Sequence, residues 1–496
     1  MARPGSARRE PSAGGETDYV NRFGESHARP ALPGGPYLVV GLARSGQAIA
    51  RLLARRGERV LGCDSERPKG AAGLRADGVE VSLDVDGTGL LERARTVVKS
   101  PGVPRQAPAI AAAAEKGMEV TGELELAWRL LPNRFCAVTG TNGKTTTAEL
   151  LGHLHRTAGL PVAVAGNVGT PLSSLVGEVD PEATVVCECS SFQLEDASAF
   201  APQCAVFLNL EPDHLDRHGT LEAYLEAKLR IFVNQGNDDI AVYNGDIPAL
   251  RGRDLGGCAR RVRFCPGPPS TVATNTAAEP TATNTAAEPP DPDCELSLRG
   301  DVIFAGDEAL VRADELRLLG RHNVENAMAA AAAALAMGIG REAVADGLRT
   351  FTGVRHRLEP VRELGGVLYV NDSKATNVAS ARAGIESFQG GVQLICGGSV
   401  KGESFERLAG PVGERCRGCY LIGEAAERLA EDLAPAARRG VEISSCGTLE
   451  HAVELASSRA QPGETVLLSP ACASFDAFRD FEQRGERFRE LVEALR

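Results

Sequence analysis

The segment Phe135-Cys-Ala-Val-Thr139, continued by Gly140-Thr-Asn-Gly-Lys-Thr-Thr146, carries the strongest indication of the fold. The first part is apolar and predicts a buried strand, and residues 147–158 predict a helix. Glycines allow the backbone N–H groups between them to surround phosphate, and the helix N-terminus adds a favourable dipole. Lys144 can neutralise phosphate charge, and the Thr145 hydroxyl can ligate Mg²⁺. The spacing from Gly140 to Gly143 is shorter than usual, so the sequence predicts a shortened P-loop.

Acidic and histidine side chains follow the next predicted strands of this domain. Glu188 ends the predicted strand 184–189, where a carboxylate is costly to bury without a compensating cation. Parallel strands would place it beside the P-loop as an oxygen ligand for Mg²⁺. After the predicted strand 204–208, His214 and His218 have a spacing that also suits zinc. Hard-cation chemistry at an ATP site fits this loop better.

An N-terminal βαβ unit is predicted from a strand at 37–41, a helix at 47–56 and a strand at 59–63. Its turn lacks the second glycine of a dinucleotide fingerprint, because Ala43 stands there. The turn can still hold a phosphate, and Asp64 stands where an acidic residue contacts ribose or base. Asp64 could equally well only end the strand.

The rest of the chain predicts an α/β protein of three domains. Strands at 367–370, 392–396, 418–422 and 466–468 alternate with helical segments in a Rossmann-like pattern. The helix predicted within 475–496 is amphipathic, and its charges are expected to be solvated. The predicted boundaries are a disordered tail at 1–36 and domains at 37–132, 133–352 and 353–496. The repeats within 266–292 predict a disordered insertion in the second domain.

Composition narrows the classes of protein. A chain of 496 residues with a net charge of -12 is unsuited to general nucleic-acid binding. No signal peptide or membrane-spanning segment is recognisable, so a cytoplasmic location is expected. The 13 cysteines are scattered, and we expect them to be buried free thiols, as in proteins of a reducing compartment. Cys416 and Cys419 form a lone C-x-x-C, and no second pair of ligands follows that could complete a zinc site.

Five motifs resemble the Mur ligase family, and the resemblance runs from residue 37 to residue 496. They are Glu188–Leu194, Asp213–His218, Ala227–Arg230, Asn371–Asn377 and Leu468–Asp476. The last two, with Phe481–Gly485, are similar to the branch that adds D-glutamate. The resemblance implies a UDP-binding domain, a central ATPase domain and a C-terminal ligase domain.

Site residues are implied by the same resemblance, position by position. The catalytic group is implied to be Lys144, Glu188, His214 and Lys228. Magnesium, as two ions, would be held by Thr145, Glu188, His214 and Lys228, the last as a carbamate formed with CO₂. By pattern alone Lys228 is an ordinary solvated lysine.

Substrate contacts are implied for three further sets of residues. ATP would be bound by Gly140, Thr141, Asn142, Gly143, Lys144, Thr145, Thr146, Asn323, Asn326, Arg357, Asp372 and Lys374. The UDP-substrate would be bound by Ser45, Asp64, Ser100, Gly102 and Asn167, and D-glutamate by Thr376, Lys401, Ser474 and Phe481. From the residues themselves, Asn323 could instead cap a helix. Relatives carry a basic residue at position 66, where this chain has Glu66 followed by Arg67.

The implied reaction joins D-glutamate to UDP-N-acetylmuramoyl-L-alanine through an acyl phosphate, with release of ADP and phosphate. This reaction belongs to peptidoglycan precursor synthesis. The protein is expected to be a monomer, without nucleic-acid partners and without a segment inserted in a membrane. Three alternatives remain open on the sequence. These are a sibling ligase that adds another amino acid, a folylpolyglutamate synthase, and an ATP-regulated binding protein without turnover.

Overall fold

Three α/β domains follow one another in the computed structural model, which describes residues 29–267, 294–400 and 404–496. The first contains a five-stranded parallel sheet in the order β3-β2-β1-β4-β5. Its strands are β1 (Tyr37–Val40), β2 (Val60–Asp64), β3 (Glu80–Leu83), β4 (Thr96–Lys99) and β5 (Glu119–Gly122). Its α-helices are α1 (Arg44–Arg55), α2 (Pro108–Glu115) and α3 (Glu123–Leu130). The strand order reverses at β1, so the turns after β1 and β4 border one crevice at the carboxyl ends of the strands.

The second domain is built on a nine-stranded sheet in the order β14-β13-β12-β11-β10-β9-β6-β8-β7. Its strands are β6 (Phe135–Thr139), β7 (Val162–Gly166), β8 (Thr184–Glu188), β9 (Cys204–Phe207), β10 (Ile240–Asn244), β11 (Arg260–Cys265), β12 (Leu296–Arg299), β13 (Val302–Ala305) and β14 (Glu308–Arg312). Its α-helices are α4 (Lys144–Thr157), α5 (Ser191–Glu195), α6 (Leu215–His218), α7 (Leu221–Val233), α8 (Arg321–Ala336) and α9 (Arg341–Thr350). Strand β13 pairs antiparallel with both β12 and β14, and the other neighbouring strands of this sheet pair in parallel. The alanines of α8 are buried in one core cluster with leucines of α4, because small side chains let two helices approach closely.

The third domain contains a six-stranded sheet in the order β15-β16-β20-β17-β18-β19, in which only the edge strand β15 is antiparallel. Its strands are β15 (Glu359–Leu364), β16 (Val367–Asn371), β17 (Val392–Gly397), β18 (Cys416–Ile422), β19 (Glu442–Gly447) and β20 (Thr465–Leu468). Its α-helices are α10 (Val378–Glu386), α11 (Ala409–Arg415), α12 (Ala426–Asp432), α13 (Ala434–Ala437), α14 (Leu449–Arg459) and α15 (Phe481–Ala494). The predicted α/β fold with three domains is confirmed.

Local differences from the prediction have identifiable causes. Helix α4 begins at Lys144, three residues earlier than predicted, because Gly143 adopts φ 83° and turns the chain directly into the helix. In α15 the prediction of a solvated charged face is wrong at Arg484. That side chain is buried and donates hydrogen bonds to the backbone oxygens of Ser373 and Cys472.

The cysteine prediction is wrong for one pair. Cys265 and Cys294 form a disulfide, since the pairing of β11 with β12 brings the ends of the insertion together. The other 11 cysteines are free, and all but Cys258 are buried. Most of the predicted tail and of the insertion lies outside the described residues. Arg29 belongs to the predicted tail, yet it contacts the ring of Trp128.

None of the helices in the described ranges combines the length and the apolar character needed to cross a bilayer.

Candidate active site

The loop between β6 and α4 has the geometry of a phosphate-binding loop. Gly140 and Gly143 have φ angles of 153° and 83°, which residues with a Cβ rarely adopt. The Lys144 ammonium donates to the backbone oxygens of Gly140 at 3.0 Å and Thr141 at 2.9 Å. Asn209 holds the loop from β9, accepting from the Asn142 N–H at 2.9 Å and donating to its carbonyl at 3.1 Å. Backbone N–H groups and one cation therefore face the same space at the start of α4.

A chain of hydrogen bonds joins the P-loop to the strand β8 and to the third domain. The Thr145 hydroxyl donates to the Glu188 carboxylate at 2.9 Å and accepts from the Lys374 ammonium at 3.0 Å. Glu188 is 4% exposed, and this cationic surrounding compensates the burial of its charge. Burial and the nearby Arg357 guanidinium lower the pKa of Lys374 to about 8.

Lys228 lies next to this group and is 1% exposed. The prediction of a solvated lysine, made from pattern alone, is therefore wrong. Its ammonium donates to the Gly140 carbonyl at 2.8 Å and lies 4.4 Å from the centre of the Tyr224 ring. Burial, and then repulsion from the Lys144 charge, lowers the pKa of Lys228 well below its usual value, and the same burial lowers the pKa of Lys144. A lysine of this kind is deprotonated more readily than one in water.

The oxygen atoms of Thr145 and Glu188 suit a hard cation. Among the described residues, no group of three or more His, Cys, Asp or Glu side chains is arranged to hold a metal ion. Magnesium, however, usually keeps several waters and is bound by one or two protein oxygens together with substrate phosphates. The Thr145–Glu188 pair beside a phosphate-binding loop fits that pattern.

His214 lies at the edge of this group. It adopts φ 52°, and its side chain is 48% exposed and 3.6 Å from the Asp213 carboxylate. Its ring contacts the rings of Phe192 and Tyr224, with centres 4.9 Å and 6.5 Å away. Tyr224 thus contacts both His214 and Lys228.

The predicted ATP-contacting residues beyond the P-loop converge on it from α8 and from the third domain. A Cβ atom on Gly143 would lie 2.1 Å from the Asn326 side-chain oxygen, so α8 touches the loop where a glycine is required. Asn323 lies inside α8 and donates to the Leu319 carbonyl at 2.7 Å, so it is not the residue that caps the helix. Asp372 accepts from the Ser469 hydroxyl at 2.8 Å, and burial raises its pKa to about 7.

Arg357 is the last of this set. Burial is the main cause of the lowered pKa values of Lys144 and Lys374, and the Arg357 guanidinium lowers both further.

The predicted UDP-contacting residues border the crevice of the first domain. Asp64 ends β2 and accepts from the Leu42 N–H at 2.6 Å, and Ser45 is half-buried in the first turn of α1. The Ser100 hydroxyl donates to the Gly41 carbonyl at 2.7 Å, which joins the turns after β1 and β4. At position 66, where relatives carry a basic residue, this chain has Glu66. The exposed side chain of the next residue, Arg67, pairs with Asp84 at 2.6 Å.

The two further residues of this set lie in different domains, Gly102 in the turn after β4 and Asn167 directly after β7. Gly102 faces open space, since a Cβ atom there would meet nothing within 4 Å. The Asn167 N–H donates to the Glu188 carbonyl at 2.9 Å, so this predicted substrate residue lies beside the carboxylate of the phosphate site.

Of the predicted D-glutamate residues, three are described and Lys401 lies outside the described residues. The Phe481 carbonyl accepts from the Ser373 hydroxyl at 2.8 Å, and its ring centre is 5.7 Å from the Lys374 ammonium. Thr376 donates its N–H to the Lys374 carbonyl at 2.8 Å, and Ser474 is buried. A cleft of about 690 Å³ lies between the second and third domains. Its lining includes Asp213, His214, Asn377 and Arg382.

Two residues of the site were not singled out from the sequence. Asn209 follows β9 and holds the P-loop, and Arg217 extends from α6 to the first domain. Arg217 lies in the motif Asp213–His218 and Asn209 precedes that motif by four residues, but local pattern does not tell which residue contacts a distant segment.

The fold and the cleft define the class of ATP-dependent ligases built from three α/β domains. Family models match the chain as "Mur ligase MurD-like, N-terminal domain" over residues 36–122, "Mur ligase middle domain" over 138–334 and "Mur ligase, glutamate ligase domain" over 356–472. The chain belongs to the Mur ligase family.

Relatives and solved structures agree with this assignment. A UDP-N-acetylmuramoylalanine–D-glutamate ligase of Pelotomaculum thermopropionicum is 42% identical over 92% of this chain and 97% of its own length. The enzyme of the same name from Geobacter metallireducens is 43% identical over 94% of this chain and 98% of its own. The structure of UDP-N-acetylmuramate-alanine ligase from Thermotoga maritima has the same fold, with a TM-score of 0.58 at 18% identity, covering 93% of this chain and 99% of that one.

Proposed function

We propose that this protein uses ATP to join D-glutamate to UDP-N-acetylmuramoyl-L-alanine, giving ADP and phosphate in peptidoglycan precursor synthesis. The observation that carries the proposal is the meeting of Lys144, the Thr145–Glu188 pair and Lys374 at one phosphate-binding loop. Relatives at about 40% identity that carry the D-glutamate ligase name over nearly the whole chain support the choice of amino acid.

The chemistry follows from the charges of the site. The substrate carboxylate and the ATP γ-phosphate are both anions, so they approach each other only where cations compensate their repulsion. Lys144 and Lys374 supply that charge from the second and third domains. The carboxylate oxygen attacks the γ-phosphorus, the bond to the β-phosphate oxygen breaks, and ADP leaves an acyl phosphate behind.

Amide formation completes the reaction. The D-glutamate amine attacks the acyl carbon, phosphate leaves with the bonding electron pair, and the amine loses a proton. Thr376, Ser474, Phe481 and Lys401 are the proposed D-glutamate contacts, with Lys401 as a point charge for a carboxylate. Contact between the third domain and the P-loop excludes water, which would otherwise hydrolyse the acyl phosphate.

Magnesium bound by Thr145 and Glu188 would add charge neutralisation, with His214 and a carbamate on Lys228 as the proposed ligands of a second ion. The lowered pKa of Lys228 supports the carbamate, because the neutral amine is the form that attacks CO₂ and then loses a proton. The remaining ATP contacts, with Asn323, Asn326, Arg357 and Asp372, are proposed on the same basis.

A cytoplasmic monomer is the proposed state of the protein.

The test is an ADP-release assay with UDP-N-acetylmuramoyl-L-alanine, ATP, Mg²⁺ and one amino acid at a time. D-glutamate should give ADP and the amide in equal amounts, whereas L-glutamate, L-alanine and diaminopimelate should not. Faster release with another amino acid would point to a sibling ligase. Nucleotide binding without ADP release in any mixture would point to a regulated binding protein.

A further inference from the structure

Arg217 spans the boundary between the first and second domains. It lies in α6, three residues after His214, and its side chain reaches the turn that follows β4. The guanidinium donates to the Val103 carbonyl at 2.9 Å and to the Gly102 carbonyl at 3.3 Å. One side chain therefore joins the loop of the phosphate site to a turn of the UDP crevice.

The same turn is held from other sides. Lys99 donates to the Val103 carbonyl at 3.1 Å and pairs with Asp196 of the second domain at 2.7 Å. The Ser100 hydroxyl donates to the Gly41 carbonyl at 2.7 Å, and the Val103 N–H donates to the Ser100 carbonyl at 3.0 Å. Hydrogen bonds from cations to carbonyl oxygens are stronger than those between neutral groups. The turn and the second domain are thus linked as one unit.

An aromatic surface holds Arg217 in the orientation that these bonds need. Its guanidinium carbon lies 4.1 Å from the centre of the Phe192 ring. That ring also stacks on His218, with centres 5.4 Å apart, and His218 pairs with Glu195 at 3.2 Å. A planar guanidinium can stack flat on a ring while two of its nitrogens donate to two oxygens in a fixed geometry, whereas an ammonium group is a point charge on a flexible stem and lacks that planar fork.

We propose that Arg217 is a positioning residue that sets the location of the UDP-substrate relative to the P-loop. This inference rests on the proposed function, since it concerns the approach of the substrate carboxylate to the γ-phosphate. The Gly102 turn borders the UDP crevice, whereas His214 and Asp213 border the cleft beside the phosphate site. A displacement of about 1 Å between reacting groups can lower a rate about 100-fold.

The test compares Arg217→Met and Arg217→Lys with the wild-type protein by steady-state ADP release and by calorimetric titration of UDP-N-acetylmuramoyl-L-alanine. In Arg217→Met the KM and Kd for the UDP-substrate should rise at least about fivefold and kcat should fall at least about tenfold, with the KM for ATP unchanged. Arg217→Lys keeps the charge but not the planar fork that stacks on Phe192, so the logarithms of its KM, Kd and kcat should lie closer to those of Arg217→Met than to those of the wild type.

Arg105→Met is the matched control. Arg105 crosses the same boundary, donating to the Glu195 carbonyl at 2.7 Å, but its side chain is 58% exposed and makes no contact with the turn carbonyls. It should keep wild-type values of KM, Kd and kcat. A purely structural role for Arg217 would reduce only the active fraction, leaving both KM values and the Kd at wild-type levels, and that result would overturn the inference. If the wild type binds the UDP-substrate but forms no amide, the proposed function fails while the Kd values still decide the role of Arg217.

Discussion

Lys99 and Asp196 form an ion pair between the first two domains, and replacing either residue alone should destabilise their interface. The ammonium and the carboxylate are 2.7 Å apart, and their side chains are 0% and 3% exposed. Removing one partner of a buried pair costs about 3–5 kcal/mol, because the other charge stays buried without compensation. Replacing both by apolar residues of similar volume is often neutral or stabilising. The perturbation is therefore a cycle of Lys99→Met, Asp196→Leu and the double variant.

The two single variants should differ. After Lys99→Met, Asp196 still has the Arg105 guanidinium at 3.5 Å, so the loss should be near 3 kcal/mol, the lower end of the range. After Asp196→Leu, the Lys99 ammonium keeps the Val103 carbonyl at 3.1 Å, which is a neutral acceptor, so the loss should approach about 5 kcal/mol. The double variant should lie within about 1 kcal/mol of the wild type, which makes the two substitutions strongly non-additive.

A single tryptophan provides the assay. Trp128, the one tryptophan of the chain, is 1% exposed in α3 and packs edge-on against Phe200 of the second domain with ring centres 5.8 Å apart. Its fluorescence should therefore report unfolding at this boundary. With a urea slope of about 1–3 kcal/mol per M, a loss of 3 kcal/mol lowers the midpoint by at least about 1 M.

The control and the dependence on pH complete the test. Lys116 makes an exposed contact with Glu92 at 3.9 Å, so Lys116→Met should change the midpoint little.

Burial lowers the pKa of Lys99 below 10.5, so the unfolded chain binds this proton more tightly than the folded one. The free energy of unfolding should therefore increase as the pH rises from the folded-state pKa of Lys99 toward 10.5. Lys99→Met should not show this increase. Additive losses in the double variant would refute the reasoning.

Three further predictions concern the site and the insertion. Lys144→Met should reduce ADP release at least about 100-fold while calorimetry shows unchanged binding of the UDP-substrate, and activity within tenfold of wild type would remove this lysine from the mechanism. Lys228→Ala should be inactive and partly restored by acetate in the ADP-release assay, because an added carboxylate can replace the carbamate oxygens; wild-type activity without acetate would exclude carbamylation. Cys265→Ser should lower the unfolding free energy by about 3–4 kcal/mol under oxidising conditions only, as expected for a crosslink spanning 29 residues. Cys258→Ser, at an exposed free thiol, is its control, and a peptide map without a Cys265–Cys294 crosslink would contradict the prediction.

Much of the architecture could be predicted because it depends on local pattern. Continuous apolar runs such as Phe135–Thr139 are typical of strands covered on both faces, and this run is a fully buried strand. The alternation of such runs with helical segments predicted three α/β domains, and the glycines around Lys144 predicted the phosphate-binding loop. Residues that follow parallel strands meet at one sheet edge, which is why Glu188 could be expected beside Thr145.

The sequence by itself thus determined the class of fold, the position of the phosphate site and the motifs of the family. Tertiary structure alone decided the burial of Lys228, the burial of Arg484, the pairing of Cys265 with Cys294 and the reach of Arg217 into the first domain. The physical reason is that the periodicity of apolar residues and the positions of glycines determine secondary structure and turns within a few residues of chain. An ion pair or a two-point hydrogen bond between distant segments depends on how those segments pack. The spacing of residues along the chain does not predict the distance between such groups.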